Sequence, residues 1–128
     1  MNTQQTGIRD YKDLIVWQRS IDLVTQVYAV TAIFPNREQY GLISQMQRAA
    51  VSISSNIAEG QSRASAAEFR QFLSISLGSA GELETQLIIS ARLKFMAEEE
   101  SLRLCRSVIE IRRMLRGLIS STYRSRTY

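Results

Sequence analysis

Seven arginines near the carboxyl end of the chain are the residues most suited to bind a ligand. Residues 101–128 carry seven Arg and a single acidic residue, Glu110. Arg has a planar guanidinium that suits bidentate contacts with phosphate or carboxylate. We therefore predict a nucleic-acid-binding surface, with a solvated helix face as the alternative. The candidate binding residues are Arg103, Arg106, Arg112, Arg113, Arg116, Arg124 and Arg126.

The residues that most enzymes use for acid–base or metal chemistry are scarce in this sequence. There is no His and a single Cys, Cys105, which excludes imidazole-based triads, the usual zinc ligand sets and an intramolecular disulfide. Glu82 and Glu84 would project to different sides of a helix and could not act together on one substrate. We predict a protein that is not an enzyme and uses no cofactor or metal, and we interpret Cys105 as a small buried or interfacial hydrophobe.

A second polar motif, Ser-Asn-Ile-Ala-Glu-Gly at residues 55–60, offers a hydroxyl, an amide and a carboxylate. A structural role is favoured over a binding site. Asn56 and Glu59 can bond exposed backbone or a neighbouring Arg at a helix end, and Gly60 is a helix stop signal.

Two further side chains are also interpreted as structural. Glu84 falls close to an apolar stripe and needs a cationic partner, for which Arg48 and Arg92 are the candidates. Trp17 lies on an apolar face, where core or subunit packing is favoured over base stacking.

Four segments with helical periodicity would position these residues. Apolar residues recur at three- and four-residue spacings, and strict alternation with hairpin turns is missing, so the predicted fold class is all-α. The predicted helices span about 13–33, 38–59, 65–95 and 98–121, with Ser65 as an N-cap and Pro35 beyond the end of the first helix. Short connections favour an antiparallel up-down-up-down four-helix bundle, formed as one domain by residues 1–128.

Extra apolar surface on the first and fourth helices predicts that this bundle self-associates. The apolar residues of the first helix cover about half of its circumference, wider than the usual apolar face of a surface helix. The fourth helix carries a second apolar strip of Leu102, Cys105 and Ile109, whereas a bundle core uses one stripe per helix. In the third helix, Gly78 and Gly81 each cost up to about 1 kcal/mol relative to Ala, which favours a close helix crossing there.

Length and composition limit which classes of protein this chain can belong to. The chain has 128 residues, of which 45% are hydrophobic, as expected for one globular domain. No stretch approaches the roughly 18 apolar residues of a membrane span, and the amino terminus lacks the apolar region of a secretory signal. We expect a soluble cytoplasmic protein without a membrane partner.

Three runs of sequence resemble a known protein family. They are YKDLIVWQRSIDLV at residues 11–24, FPNREQYGLISQMQRAAVSISSNIAEG at residues 34–60 and SLGSAGELETQL at residues 76–87. In this order they resemble the four-helix bundle family of proteins encoded in intervening sequences of bacterial 23S ribosomal RNA genes. The family is related to the accessory variability determinant proteins of diversity-generating retroelements.

The resemblance implies an antiparallel four-helix bundle that assembles as a ring-shaped homopentamer, with no known catalytic activity. The retroelement branch implies nucleic-acid binding through a basic surface and association with a reverse transcriptase. The ribosomal branch implies a role connected with ribosomal RNA.

Two functional hypotheses remain open. The first is an RNA-binding homopentameric adaptor, linked to ribosomal RNA or to a retroelement reverse transcriptase, that contacts mainly phosphates. In a ring, the Arg-rich face would repeat in every subunit and steepen the salt dependence of binding, and Arg124 and Arg126 would join as a flexible arm. The second is a protein-binding scaffold with no affinity for nucleic acid.

Overall fold

The computed structural model describes residues 10–124, and these form four helices and no strand. The helices are α1 (Ile15–Thr31), α2 (Leu42–Gln61), α3 (Ala66–Arg92) and α4 (Glu98–Arg124). Each packs against two neighbours in the cyclic order α1, α2, α3, α4. Connections of four to ten residues make successive helices antiparallel. The predicted all-α four-helix bundle is confirmed.

The core is built from one stripe of each helix. The large side chains that are less than 2% exposed are Leu23, Val27, Met46, Ile53, Ile57, Leu73, Leu83, Leu87, Leu104, Val108, Ile111 and Leu115. Spacings of three and four residues put the members of each helix on one face. Cys105 is buried beside this core, as predicted, and burial raises the pKa of its thiol.

Hydroxyl groups of small residues join α2 to α3. Ser76 Oγ on α3 donates a hydrogen bond to the Ile53 carbonyl on α2 at 2.9 Å. Ser79 Oγ donates to Ser52 Oγ across the same interface at 2.8 Å. Short side chains let the two helices approach closely, and the bonds satisfy hydroxyls that would otherwise be buried at a cost.

Gly60 has a different role from the one predicted. It does not end α2, because the helix continues to Gln61 and the capping position is Ser62. A Cβ at Gly60 would lie 2.8 Å from Cβ of Phe72 on α3. Gly60 is therefore required by the close approach of α3, and the prediction of a stop signal is wrong.

The starts of α1 and α2 lie later than predicted because short 3₁₀ turns precede both helices. The turn Tyr11–Asp13 is capped by Asp10, whose carboxylate accepts the Lys12 amide at 2.8 Å. A second turn, Asn36–Glu38, comes before α2. The residues predicted to begin the two helices, Asp13 and Glu38, are therefore the last residues of these 3₁₀ turns.

The ends of α3 and α4 also differ from their predicted positions. The α3 helix stops at Arg92 because Lys94 has a φ of 66°, and the Phe95 amide then bonds back to the Ser90 carbonyl at 2.9 Å, as in a helix C-cap. The α4 helix continues to Arg124. The predicted N-cap of α3 is confirmed, because the Ser65 hydroxyl accepts the amide of the third helical residue at 3.1 Å.

The close helix crossing expected at Gly78 and Gly81 is not found within the described part of the chain. A Cβ added at either position would have no neighbour within 4 Å. The two glycines leave open space along the outer surface of α3.

Candidate nucleic-acid interface

Two kinds of feature are absent from residues 10–124: a metal centre and a membrane-spanning helix. No group of three or more His, Cys, Asp or Glu there could hold a metal ion. None of the helices combines enough length with enough apolar character to cross a membrane. The two carboxylates of interest lie apart, because Glu82 is exposed and Glu84 reaches toward α4.

Glu84 and Arg112 form an ion pair that joins α3 to α4. Arg112 Nη1 donates to Glu84 Oε1 at 2.6 Å, and the two side chains are 29% (Arg112) and 24% (Glu84) exposed. The predicted partners are wrong: Arg48 lies in a cleft beside Tyr28 of α1, and Arg92 lies about two turns further along α3. Nε of Arg112 is buried without a hydrogen-bond partner among the described residues, so the guanidinium keeps unused donor capacity.

We expect Glu84→Gln to lower the free energy of unfolding by about 1–3 kcal/mol, because it leaves the Arg112 charge partly buried without a counter-charge. Urea denaturation followed by circular dichroism measures this loss. Glu82→Gln removes an exposed carboxylate of the same helix and should change stability by less than about 0.5 kcal/mol. Equal effects of the two substitutions would contradict a structural role for the ion pair.

The arginines of α4 differ in whether a carboxylate neutralises them. Arg103 bonds to Glu100 one turn earlier, and this hydrogen bond lowers the pKa of Glu100. Glu110 accepts a bond from Arg19 of α1 at 2.7 Å. Within residues 10–124, the α4 arginines without an acidic partner are Arg106, Arg113 and Arg116.

A cleft of about 240 Å³ on the surface of α4 is lined by Ile109, Arg112, Arg113 and Arg116. Their sequence spacing places the three guanidiniums on one side of the helix. Glu84 neutralises Arg112, whereas Arg113 and Arg116 have no acidic partner among residues 10–124, so an anion between these two would relieve the repulsion of their like charges. We call this feature the arginine cleft; its charge and donor geometry suit a phosphate group.

The remaining predicted binding residues lie at the carboxyl end. Arg124 is exposed in the last turn of α4. Arg126 lies outside the described residues, so the predicted flexible arm is not described by the structure. Arg124 does not line the arginine cleft.

Two residues near the carboxyl end of α4, Tyr123 and Arg70, were not among the binding residues predicted from the sequence. The Tyr123 ring is exposed, and the Arg70 guanidinium of α3 lies 4.1 Å from its centroid. Tyr123 follows Arg116 by seven residues, which places both on one side of a helix. That spacing is a signal available in the sequence, whereas the position of Arg70 depends on the packing of α3 against α4.

The other conspicuous motifs make structural contacts. Asn56 Nδ2 donates to the Ser52 carbonyl at 2.9 Å, and Glu59 pairs with Arg63 one turn later. Trp17 is partly buried against the core, with a tyrosine ring 5.2 Å from its own. These contacts agree with the structural roles that the sequence favoured.

Comparison with known proteins identifies the family. The model of the family described as 23S rRNA-intervening sequence protein matches residues 12–117. A similar fold occurs in the crystal structure of a protein with unknown function from the S23 ribosomal protein family of Bacteroides thetaiotaomicron VPI-5482. The two chains are 24% identical with a TM-score of 0.76, and the alignment covers 82% of this chain and 98% of that chain. No curated protein gave a significant match. Since the family match includes α1, α2, α3 and the arginine cleft of α4, this chain belongs to the 23S rRNA-intervening sequence protein family.

Proposed function

We propose that the protein is a non-enzymatic homopentameric adaptor that binds RNA through the arginine-rich face of α4. The observation that carries this proposal is the arginine cleft, together with the unpaired state of Arg106, Arg113 and Arg116 within the described chain. Guanidiniums without carboxylate partners are available to the phosphates of a nucleic acid. Contacts of this kind go mainly to the backbone, so sequence specificity should be weak.

The proposed RNA partner is a ribosomal RNA segment, because the family description refers to 23S rRNA. A reverse transcriptase is a proposed protein partner, which rests on the resemblance to the accessory proteins of retroelements. The gene neighbourhood discriminates between the two settings, since a location inside a ribosomal RNA gene favours the first and an adjacent reverse transcriptase gene favours the second.

Exposed apolar surface supports the proposed assembly. Half-exposed apolar side chains outside the arginine cleft include Ile75, Ile88 and Ile89 on α3 and Leu102 on α4. The open space at Gly78 and Gly81 would let a helix of another subunit approach α3 closely. Covering these surfaces removes apolar area from water, and a ring would repeat the cationic face in every subunit.

A protein-binding scaffold with no affinity for nucleic acid is the second candidate function. The same apolar surfaces favour it, because a partner protein could cover them. Glu100 and Glu84 also neutralise two arginines of α4, Arg103 and Arg112. Under this alternative the unpaired arginines remain solvated.

Light-scattering mass, combined with titration of a ribosomal RNA fragment at about 50 mM and about 200 mM salt, tests the proposal. We expect a pentamer whose RNA affinity falls at least about tenfold between the two conditions, because several phosphates are contacted. A pentamer with no measurable RNA affinity would favour the scaffold. A monomer would contradict the proposed assembly.

A further inference from the structure

The exposed ring of Tyr123 lies on the same side of α4 as the arginine cleft. Arg112 and Tyr123 both contact α3, through Glu84 and Arg70 respectively. Arg116 lies between them in the sequence at spacings that keep all three on this side of the helix. The seven residues from Arg116 to Tyr123 span about 10 Å along the axis, so one extended strand could reach both.

Arg70 supports the Tyr123 ring from the α3 side. Its guanidinium lies 4.1 Å from the ring centroid, and its Nη1 donates a hydrogen bond to Thr122 Oγ1 at 3.1 Å. Thr122 is buried, so it anchors the guanidinium at a defined place. Tyr123 nevertheless remains 59% exposed. The ring is held in position while much of its surface is open to solvent.

We propose that Tyr123 is a stacking platform for an unpaired base of single-stranded RNA whose phosphates occupy the arginine cleft. This inference rests on the proposed RNA-binding function and narrows the proposed ligand to RNA with unpaired bases. Every base has a π face, so stacking tolerates any sequence, but the base must be free of a duplex stack. The Arg70 guanidinium adds a second planar group beside the ring. The platform therefore selects single-stranded or looped RNA over a continuous duplex.

Other exposed tyrosines lack this combination. Tyr40 is 96% exposed, but it precedes α2 and lies at the end of the bundle opposite the carboxyl end of α4. Tyr28 is half exposed and shares its cleft with a single arginine, Arg48. Only Tyr123 among these three continues a side of a helix that already carries several arginines.

Fluorescence titration with a single-stranded RNA of about 12 nucleotides that contains 2-aminopurine tests the platform, with a duplex hairpin as the second ligand. Tyr123→Leu should weaken single-strand binding about tenfold, leave duplex binding unchanged and abolish the stacking-dependent change in 2-aminopurine fluorescence. Tyr123→Phe should behave like the wild type, because stacking needs the ring and not the hydroxyl. Tyr40→Leu is the matched control and should have no effect.

The outcomes separate this inference from the proposed function. The salt dependence of binding should be the same in Tyr123→Leu as in the wild type, because no charge is removed. Equal single-strand affinity of Tyr123→Leu and wild type, or a wild-type preference for the duplex, would overturn the platform while RNA binding stands. Failure of the wild type to bind either RNA would overturn the proposed function and the platform together.

Discussion

Simultaneous replacement of Arg106, Arg113 and Arg116 with Gln is expected to weaken RNA binding by about 100-fold at about 0.1 M salt. These are the α4 arginines without an acidic partner among residues 10–124, so their full charge is available to phosphates. Each lost phosphate contact should also lower the salt slope of the affinity by about 1 or slightly less. Titration at several salt concentrations measures both quantities.

A matched triple substitution, Arg37, Arg48 and Arg92 to Gln, removes the same charge from exposed positions outside α4. It should reduce affinity only slightly, through the weaker long-range field of the protein. Equal losses in the two triple variants would show that net charge, and not the α4 face, governs binding. Light-scattering mass should be unchanged in both, because neither triple removes apolar surface.

Gly60→Val is expected to lower the free energy of unfolding by about 3 kcal/mol, the upper end of the usual cost of overpacking. An added Cβ would lie 2.8 Å from Cβ of Phe72 and 3.0 Å from Cδ1 of Phe69. The Phe72 atom is attached directly to the backbone, so α2 and α3 must move apart to relieve the contact. Urea denaturation at fixed protein concentration measures the loss, because assembly adds to apparent stability.

Gly117→Val is the control for this substitution. Gly117 is also inside a helix, but an added Cβ would meet nothing within 4 Å in this chain. Its unfolding free energy should lie within about 0.5 kcal/mol of the wild type, because Val has a slightly higher helix propensity than Gly. If the two substitutions cost the same, the contact with Phe72 does not explain the glycine at position 60.

The sequence by itself determined the features that depend on neighbours within one or two helical turns. A period of 3.6 residues places Leu104, Val108, Ile111 and Leu115 on one face of a helix, and that face of α4 is the buried one. Ser65 was predictable as an N-cap, since it bonds an amide three residues away. The excess of Arg over acidic residues in α4 was equally evident from composition.

Only the tertiary structure decided where several helices end and which charges are neutralised. Gly60 is a residue type that commonly follows a helix end, yet α2 continues past it. Glycine is needed at this position because α3 packs closely against it. Glu84 pairs with Arg112, 28 residues away, because α3 lies against α4. Arg19 of α1 forms an ion pair with Glu110 of α4 in the same way. Glu110 is then not paired with the neighbouring arginines of α4. Sequence specifies which charges are present, but the strength of electrostatic interaction depends on distance, and the packing of the helices sets those distances.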